Sequence, residues 1–188
     1  FVTYYKEGLI YQGARVINWD PQAKTALSNI EVIHKDVESF MYYLKYQLVD
    51  SNETFEVATT RPETMFGDVC IVVNPNDEKH NHLIGKTAHI PVIDVEVPIL
   101  SDEKVGIDKG TGIVMCCTFG DQTDIEWWKK YNLPLKYIFT EDGRIDESVP
   151  NYGGLKIKEA RKKTSKFRKV FFKVFLLYKI VSMRLWTV

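Results

Sequence analysis

Two strand-like stretches joined by a short polar turn restrict this chain more than anything else in it. Residues 40–49, FMYYLKYQLV, are rich in aromatic and β-branched side chains, and Thr54 to Thr60 alternates between apolar and polar positions. Asp50-Ser51-Asn52-Glu53 lies between them, so the two are expected to pair as an antiparallel hairpin. The second strand runs directly into Arg61-Pro62-Glu63-Thr64-Met65-Phe66-Gly67-Asp68, where Pro62 sets the first turn of a short helix and Gly67 ends it. Thr59, Thr60, Arg61, Thr64 and the backbone N–H groups of a helix start converge at that corner. Such a set can hold a phosphate or a polarised carbonyl; the plainer alternative is a capped turn carrying a solvated arginine.

The rest of the chain surrounds this hairpin with short elements. Phe1 to Gly8 reads as the end of a helix, Leu9 to Trp19 as a strand, and Ala26 to His34 as its return after the Asp20-Pro21 turn. Val69 to Val73 is a fully apolar strand, and His80 to Ile84 is a helical turn. Thr87 to Pro91 and Val95 to Leu100 are shorter strands, with Pro91 and Pro98 expected at sheet edges or strand ends and not at a central position. Ile113 to Cys117 forms another buried strand, Asp121 to Tyr131 a helix and Leu135 to Phe139 a final strand. Many short strands with few helices, in no regular alternation, predict an α/β fold: a mixed, strongly curved, β-barrel-like sheet with short helices at its periphery.

Charge is unevenly spread. Arg161 onward holds nine of the 25 Lys and Arg and none of the 25 acids, leaving 16 bases against 25 acids in the first 160 residues. A body of that sign does not hold a nucleic-acid duplex by bulk charge, so any RNA contact is expected to be local, at an end or a loop. Cys70, Cys116 and Cys117 have no metal-ligand spacing and are odd in number, which fits a reduced, cytoplasmic protein. His34, His80, His82 and His89 form no metal pattern and read as surface or loop residues, so neither metal nor cofactor is expected. The apolar part of the basic stretch, Val170 to Val181, is too short and too charged to span a bilayer. The chain begins with Phe1, and we expect it to be a piece of something longer.

A second constellation lies at the predicted helix start, Gly120-Asp121-Gln122-Thr123-Asp124. Asp121 is a good N-cap, and Asp124 lies where a capping box wants an acceptor. A carboxylate there is expected to stay ionised with its pKa lowered, which suits Asp124 to gripping a cation and not to taking a proton. Cys116 and Cys117 point to opposite faces of their strand; both read as small buried hydrophobes, with Cys117 able to line a pocket beside Thr118.

Several strings in order carry a resemblance: Val16 to Pro21, Ala58 to Met65, Gly67-Asp68, Val73-Asn74-Pro75, His82 to Lys86, Gly110-Thr111-Gly112 and Asp121 to Asp124. Together they resemble the editing domain inserted into valyl-tRNA synthetases, close relatives of the isoleucyl and leucyl enzymes. The resemblance implies connecting strands over residues 1–35, the editing domain over 36–160 and an atypical basic tail over 161–188. It also implies a purpose. A valine pocket rejects threonine weakly, the pair being the standard illustration of that limit at about a hundredfold, so a second site hydrolyses the ester of mischarged threonyl-tRNA. By this resemblance Thr59, Thr60, Arg61 and Thr64 hold the terminal adenosine and the ester. Asp124 binds the α-ammonium, and Asp121 helps to select the threonine hydroxyl. A positioned water then attacks the ester, aided by the Thr60 hydroxyl and the substrate's free ribose hydroxyl. The implied partner is the tRNA acceptor end, met by a monomer with no membrane.

The chain departs from the family pattern in three ways. Met115 stands where the pattern carries lysine and Gly120 where it carries histidine. The ATP-site motifs His-x-Gly-His and Lys-Met-Ser-Lys-Ser do not occur, so this segment is not expected to activate an amino acid. Residues 162–188 are basic and aromatic, unlike the family; a decayed end is expected, with a membrane-surface or RNA-tethering helix as the rival. The alternative to hydrolysis is a non-catalytic segment that binds the tRNA acceptor end.

Overall fold

The computed structural model describes residues 1–11, 16–33, 35–36, 39–93, 95–118, 120–167, 170–173 and 180–181. Helix α1 (Val2–Lys6) is the one expected before Gly8, which takes a left-handed φ of 72°. The two long strands expected next are short. β1 (Asn18–Asp20) pairs antiparallel with β2 (Thr25–Leu27), and the chain then enters a 3-10 helix, Asn29–Glu31. Ser28 and Glu31 cause the break, because the Glu31 carboxylate accepts both the Ser28 N–H and its hydroxyl, each at 2.7 Å. Ile30 is 95% exposed, so that alternation faces no core. Residues 12–15 of the first expected strand, and His34, lie outside the described residues. β3 (Lys35–Asp36) follows.

The main sheet is built on the expected hairpin. β4 (Met41–Leu48) and β5 (Thr54–Thr59) pair antiparallel, and Tyr42, Leu44, Tyr46 and Leu48 on β4 point inward with Phe55 and Val57 on β5. β6 (Asp68–Val73), β7 (Thr87–His89), β8 (Glu96–Ser101) and β9 (Ile113–Cys117) complete the order β5–β4–β7–β8–β6–β9. β9 returns against β5, so six strands curl into a nearly closed barrel, as the pattern of short strands predicts. β6 runs parallel to β8 and antiparallel to β9, and all six of its residues are buried. Ile71 and Val73 face the barrel interior, while Val69, Cys70 and Val72 pack with Trp127 outside it, which is why this strand is apolar without alternation.

Three expectations are corrected. β8 lies between β7 and β6 and not at an edge; Pro98 is tolerated because the parallel ladder with β6 begins only at Ile99. Residues 135–138 form no ladder, the stretch being pinned by a single Phe139–Ile145 bridge. Residues 157–164, where only a change of composition was legible, form helix α3 (Ile157–Thr164), with Ala160 and Thr164 fully buried. Beyond it, β10 (Val170–Lys173) pairs with β4 and β11 (Ile180–Val181) with β3, so within the basic tail these described segments are strands, where a helix was the rival expectation. Residues 168–169, 174–179 and 182–188 lie outside the described residues. Among the described residues no helix is long and apolar enough to cross a membrane.

Candidate functional site

The corner after β5 folds as expected in outline and differently in kind. Pro62–Gly67 is a 3-10 helix, and all six residues are buried. Thr59 Oγ1 accepts the Arg61 N–H at 3.1 Å, and Thr64 Oγ1 donates to the Arg61 carbonyl at 2.8 Å. Thr60 stands half-buried between them. Two of the corner's hydroxyls, those of Thr59 and Thr64, therefore bond the corner's own backbone. Behind it Glu63, 1% exposed, receives the Arg161 guanidinium through Nε at 2.9 Å and through a second contact from Nη2. Arg161 thus bolts α3 to the corner.

Arg61 reaches the second constellation, its Nη2 donating to the Gly120 carbonyl at 3.1 Å. Helix α2 (Gln122–Lys130) starts there with Asp121 as N-cap, and Asp121 Oδ1 accepts the N–H groups of Thr123 at 2.7 Å and Asp124 at 3.2 Å. Asp121 is exposed, whereas Asp124 is buried. The Asp124 carboxyl folds back over Gly120: a Cβ on that glycine would lie 1.5 Å from Oδ2. Cys117 Sγ lies 4.0 Å from the same oxygen, and the Thr64 hydroxyl is within reach of Cys117.

The expected ionisation of Asp124 is overturned. Burial, and next the repulsion of Asp121, push its carboxyl up to about 8. Asp121 takes the Thr123 and Asp124 N–H groups, and the contacts left to the Asp124 carboxyl, from Cys116 and the Asp121 N–H, only oppose the shift. Burial and the carboxyls of Asp124 and Asp68 also push the Cys117 thiol up, so it lines the site as a protonated thiol and not as a nucleophile.

The structure adds residues to which the sequence reading gave no site role, although Asp68 lies in the Gly67-Asp68 string. Asp68 stands opposite Cys117 across β6 and β9, and a bulge between Asp68 and Cys70 turns it inward. There Oδ2 accepts from the buried Tyr46 hydroxyl at 2.5 Å, and the Met115 sulfur lies 3.7 Å from that hydroxyl. Burial, and the nearby Asp124, raise Asp68 well above the carboxylate range, while the Tyr46 bond and Lys136 oppose the shift. A charged residue at the head of an otherwise apolar strand was the available signal. Among the described residues no cluster of His, Cys, Asp or Glu could hold a metal.

Residues 1–181 match the family described as tRNA synthetases class I (I, L, M and V), and the chain belongs to that family. Within it, similar relatives are valine–tRNA ligases. That of Listeria monocytogenes serovar 1/2a is 50% identical over 162 residues, covering 86% of this chain and 18% of the ligase. That of Mesoplasma florum is 49% identical over 164 residues, covering 87% and 19%. The chain thus spans about a fifth of the length of these relatives. The agnB2 LeuRS of Agrobacterium radiobacter K84, solved in ternary complex with tRNA and LeuAMS, shares the fold at a TM-score of 0.57 and 17% identity, over 92% of this chain and 31% of that one.

Proposed function

We propose that this segment is the editing part of a valine–tRNA ligase and hydrolyses the ester of mischarged threonyl-tRNA(Val). The observation that carries the reading is the Asp124 carboxyl, buried at the start of α2 beside Cys117 and joined to the corner through Arg61 and Gly120. A buried carboxyl at about 8 is protonated in the free site at neutral pH. An incoming α-ammonium makes the ionised form favourable, so the group that binds the amino acid also becomes charged on binding, with release of a proton.

The chemistry is addition of water to the ester carbonyl. The bond from carbonyl carbon to ribose oxygen breaks, the ribose oxygen takes a proton, and threonine and a free tRNA terminus leave. Thr60 and the neighbouring ribose hydroxyl orient the water, while Thr59, Arg61 and Thr64 shape the adenosine side of the site. The partner is the tRNA acceptor end, engaged locally, in keeping with an acidic main body.

The test is deacylation of threonyl-tRNA(Val) by the purified chain beside Asp124→Ala. The wild type is expected to act well above buffer, and the variant to lose about a hundredfold, the usual scale for removing one partner of a buried charge pair. A wild type that binds tRNA yet leaves the ester intact would instead mark an acceptor-end binding segment without turnover.

A further inference from the structure

Strand β6 begins with a carboxyl that its own surroundings leave half satisfied. Tyr46 serves Asp68 Oδ2, but among the described residues Oδ1 accepts no hydrogen bond although Asp68 is 1% exposed. An unmade bond on a buried carboxyl is costly, and it persists where a ligand can complete it. Met115 brings only a thioether to the Tyr46 hydroxyl. Asp121 caps α2 with Oδ1 and faces solvent, so a substrate hydroxyl is more readily read elsewhere.

The cation acting on Asp68 is Lys136. Its backbone N–H donates to Thr118 Oγ1 at 3.1 Å, and Thr118 Oγ1 donates to the Pro134 carbonyl at 3.4 Å, which straps this stretch to the end of β9. Exposure then alternates: Leu135 and Tyr137 are exposed, Lys136 is half-buried and Ile138 is buried. Ile138 fills the space that Gly67 leaves open, since a Cβ at 67 would lie 3.0 Å from Ile138 Cδ1 and 3.6 Å from Cys117 Cβ. By the same alternation Lys136 shares that inward side, within electrostatic range of Asp68. Burial lowers its pKa, as expected for an ammonium drawn out of water, while Asp68 opposes the shift.

We infer that Asp68 and Lys136 form the polar wall that reads the acyl side chain, making Lys136 a specificity-determining residue for esters of β-hydroxy amino acids. The inference rests on the ester-hydrolysis reading above. A hydroxyl can donate to Asp68 Oδ1 and accept from the ammonium at once. A methyl or hydrogen in its place leaves both groups unpaired, the kind of mismatch that discriminates more strongly than shape. With Met115 in place of the pattern's lysine, the cation reaches this wall from the Leu133–Ile138 segment.

The test compares rates on threonyl- and 2-aminobutyryl-tRNA(Val) for wild type, Lys136→Met, Lys136→Arg and the double variant Lys136→Met/Met115→Lys. The ratio of threonyl to 2-aminobutyryl rates should fall about tenfold in Lys136→Met and recover in the arginine and double variants. An unchanged ratio in Lys136→Met overturns the inference. A double-mutant cycle of Lys136→Met with Asp68→Asn in thermal unfolding reads the pairing without catalysis: coupled effects support it, and additive effects overturn it. If no ester is cleaved by the wild type, the hydrolase reading fails, and the cycle still decides whether Asp68 and Lys136 act together.

Discussion

The two starts that meet at this site, the turn at Pro62 and helix α2 at Gln122, use similar residues to opposite ends. At the first, Thr59 and Thr64 turn their hydroxyls onto the turn's own backbone, Glu63 is neutralised by Arg161, and Pro62–Gly67 are all buried. At the second, Asp121 takes the capping bonds in solvent and frees Asp124, three residues on, to be carried inside without them. The corner satisfies its own polar groups, whereas the helix start carries a buried carboxyl that has no ion-pair partner among the described residues. The difference shows that what a polar residue does at a helix start depends on which neighbour has already satisfied the backbone.

The largest effect expected from this contrast is on stability against pH. Asp124 has its folded pKa raised to about 8 from 3.8, so its contribution is fully present below about pH 4 and is lost as pH rises through about 8. Asp68, also raised, acts in the same direction. Chemical unfolding should show stability falling with pH across this window by up to about 1.4 kcal/mol per unit for each group. Asp124→Asn should flatten the slope; a slope unchanged in that variant would place the titration elsewhere.

Removing the bolt behind the corner comes next. Arg161→Ala strands the buried Glu63 and should cost about 3 kcal/mol in urea unfolding, the low end for a broken buried pair because the Arg161 side chain is 34% exposed. A loss typical of surface pairs, under about 1 kcal/mol, would mean that α3 does not hold the corner.

Gly120→Ala is aimed at the other side of the contrast. Its methyl claims the space of the Asp124 carboxyl and presses Cys117 Sγ at 2.9 Å, so the carboxyl must move. Deacylation should fall roughly tenfold or more with the fold retained by circular dichroism. The smallest effect belongs to Asp121→Ala, which removes a solvent-exposed cap and should lower stability by about 1 kcal/mol. Should it instead match Asp124→Ala in lost activity, Asp121 would belong to the reacting part of the site.

How much of this was legible beforehand follows from the range of the forces involved. The β4–β5 hairpin and the Asp121 cap depend on neighbours in sequence, and alternation and capping rules find them. The Ser28–Glu31 capping box was equally local, but the surrounding alternation of Ile30 and Val32 masked it. Pro98 in an interior strand and the buried state of Asp124 depend on partners far along the chain. Arg161 looked like the first residue of an unrelated basic tail, yet it holds Glu63, 98 positions away. Asp68 stands in the Gly67-Asp68 string, but nothing local gives it a role apart from the turn's end; Lys136 belongs to no such string, and only the β6 bulge and the strap at Thr118 bring the two to one side.

The most direct test of the central contrast is a carbon-13 NMR titration of the aspartate side-chain carboxyls, assigned by Asp124→Asn. A carboxyl that is missing from the variant and titrates near pH 8 in the wild type is the predicted result. A midpoint near 4 for that carboxyl would mean that Asp124 is held ionised at the helix start after all, and would contradict the account.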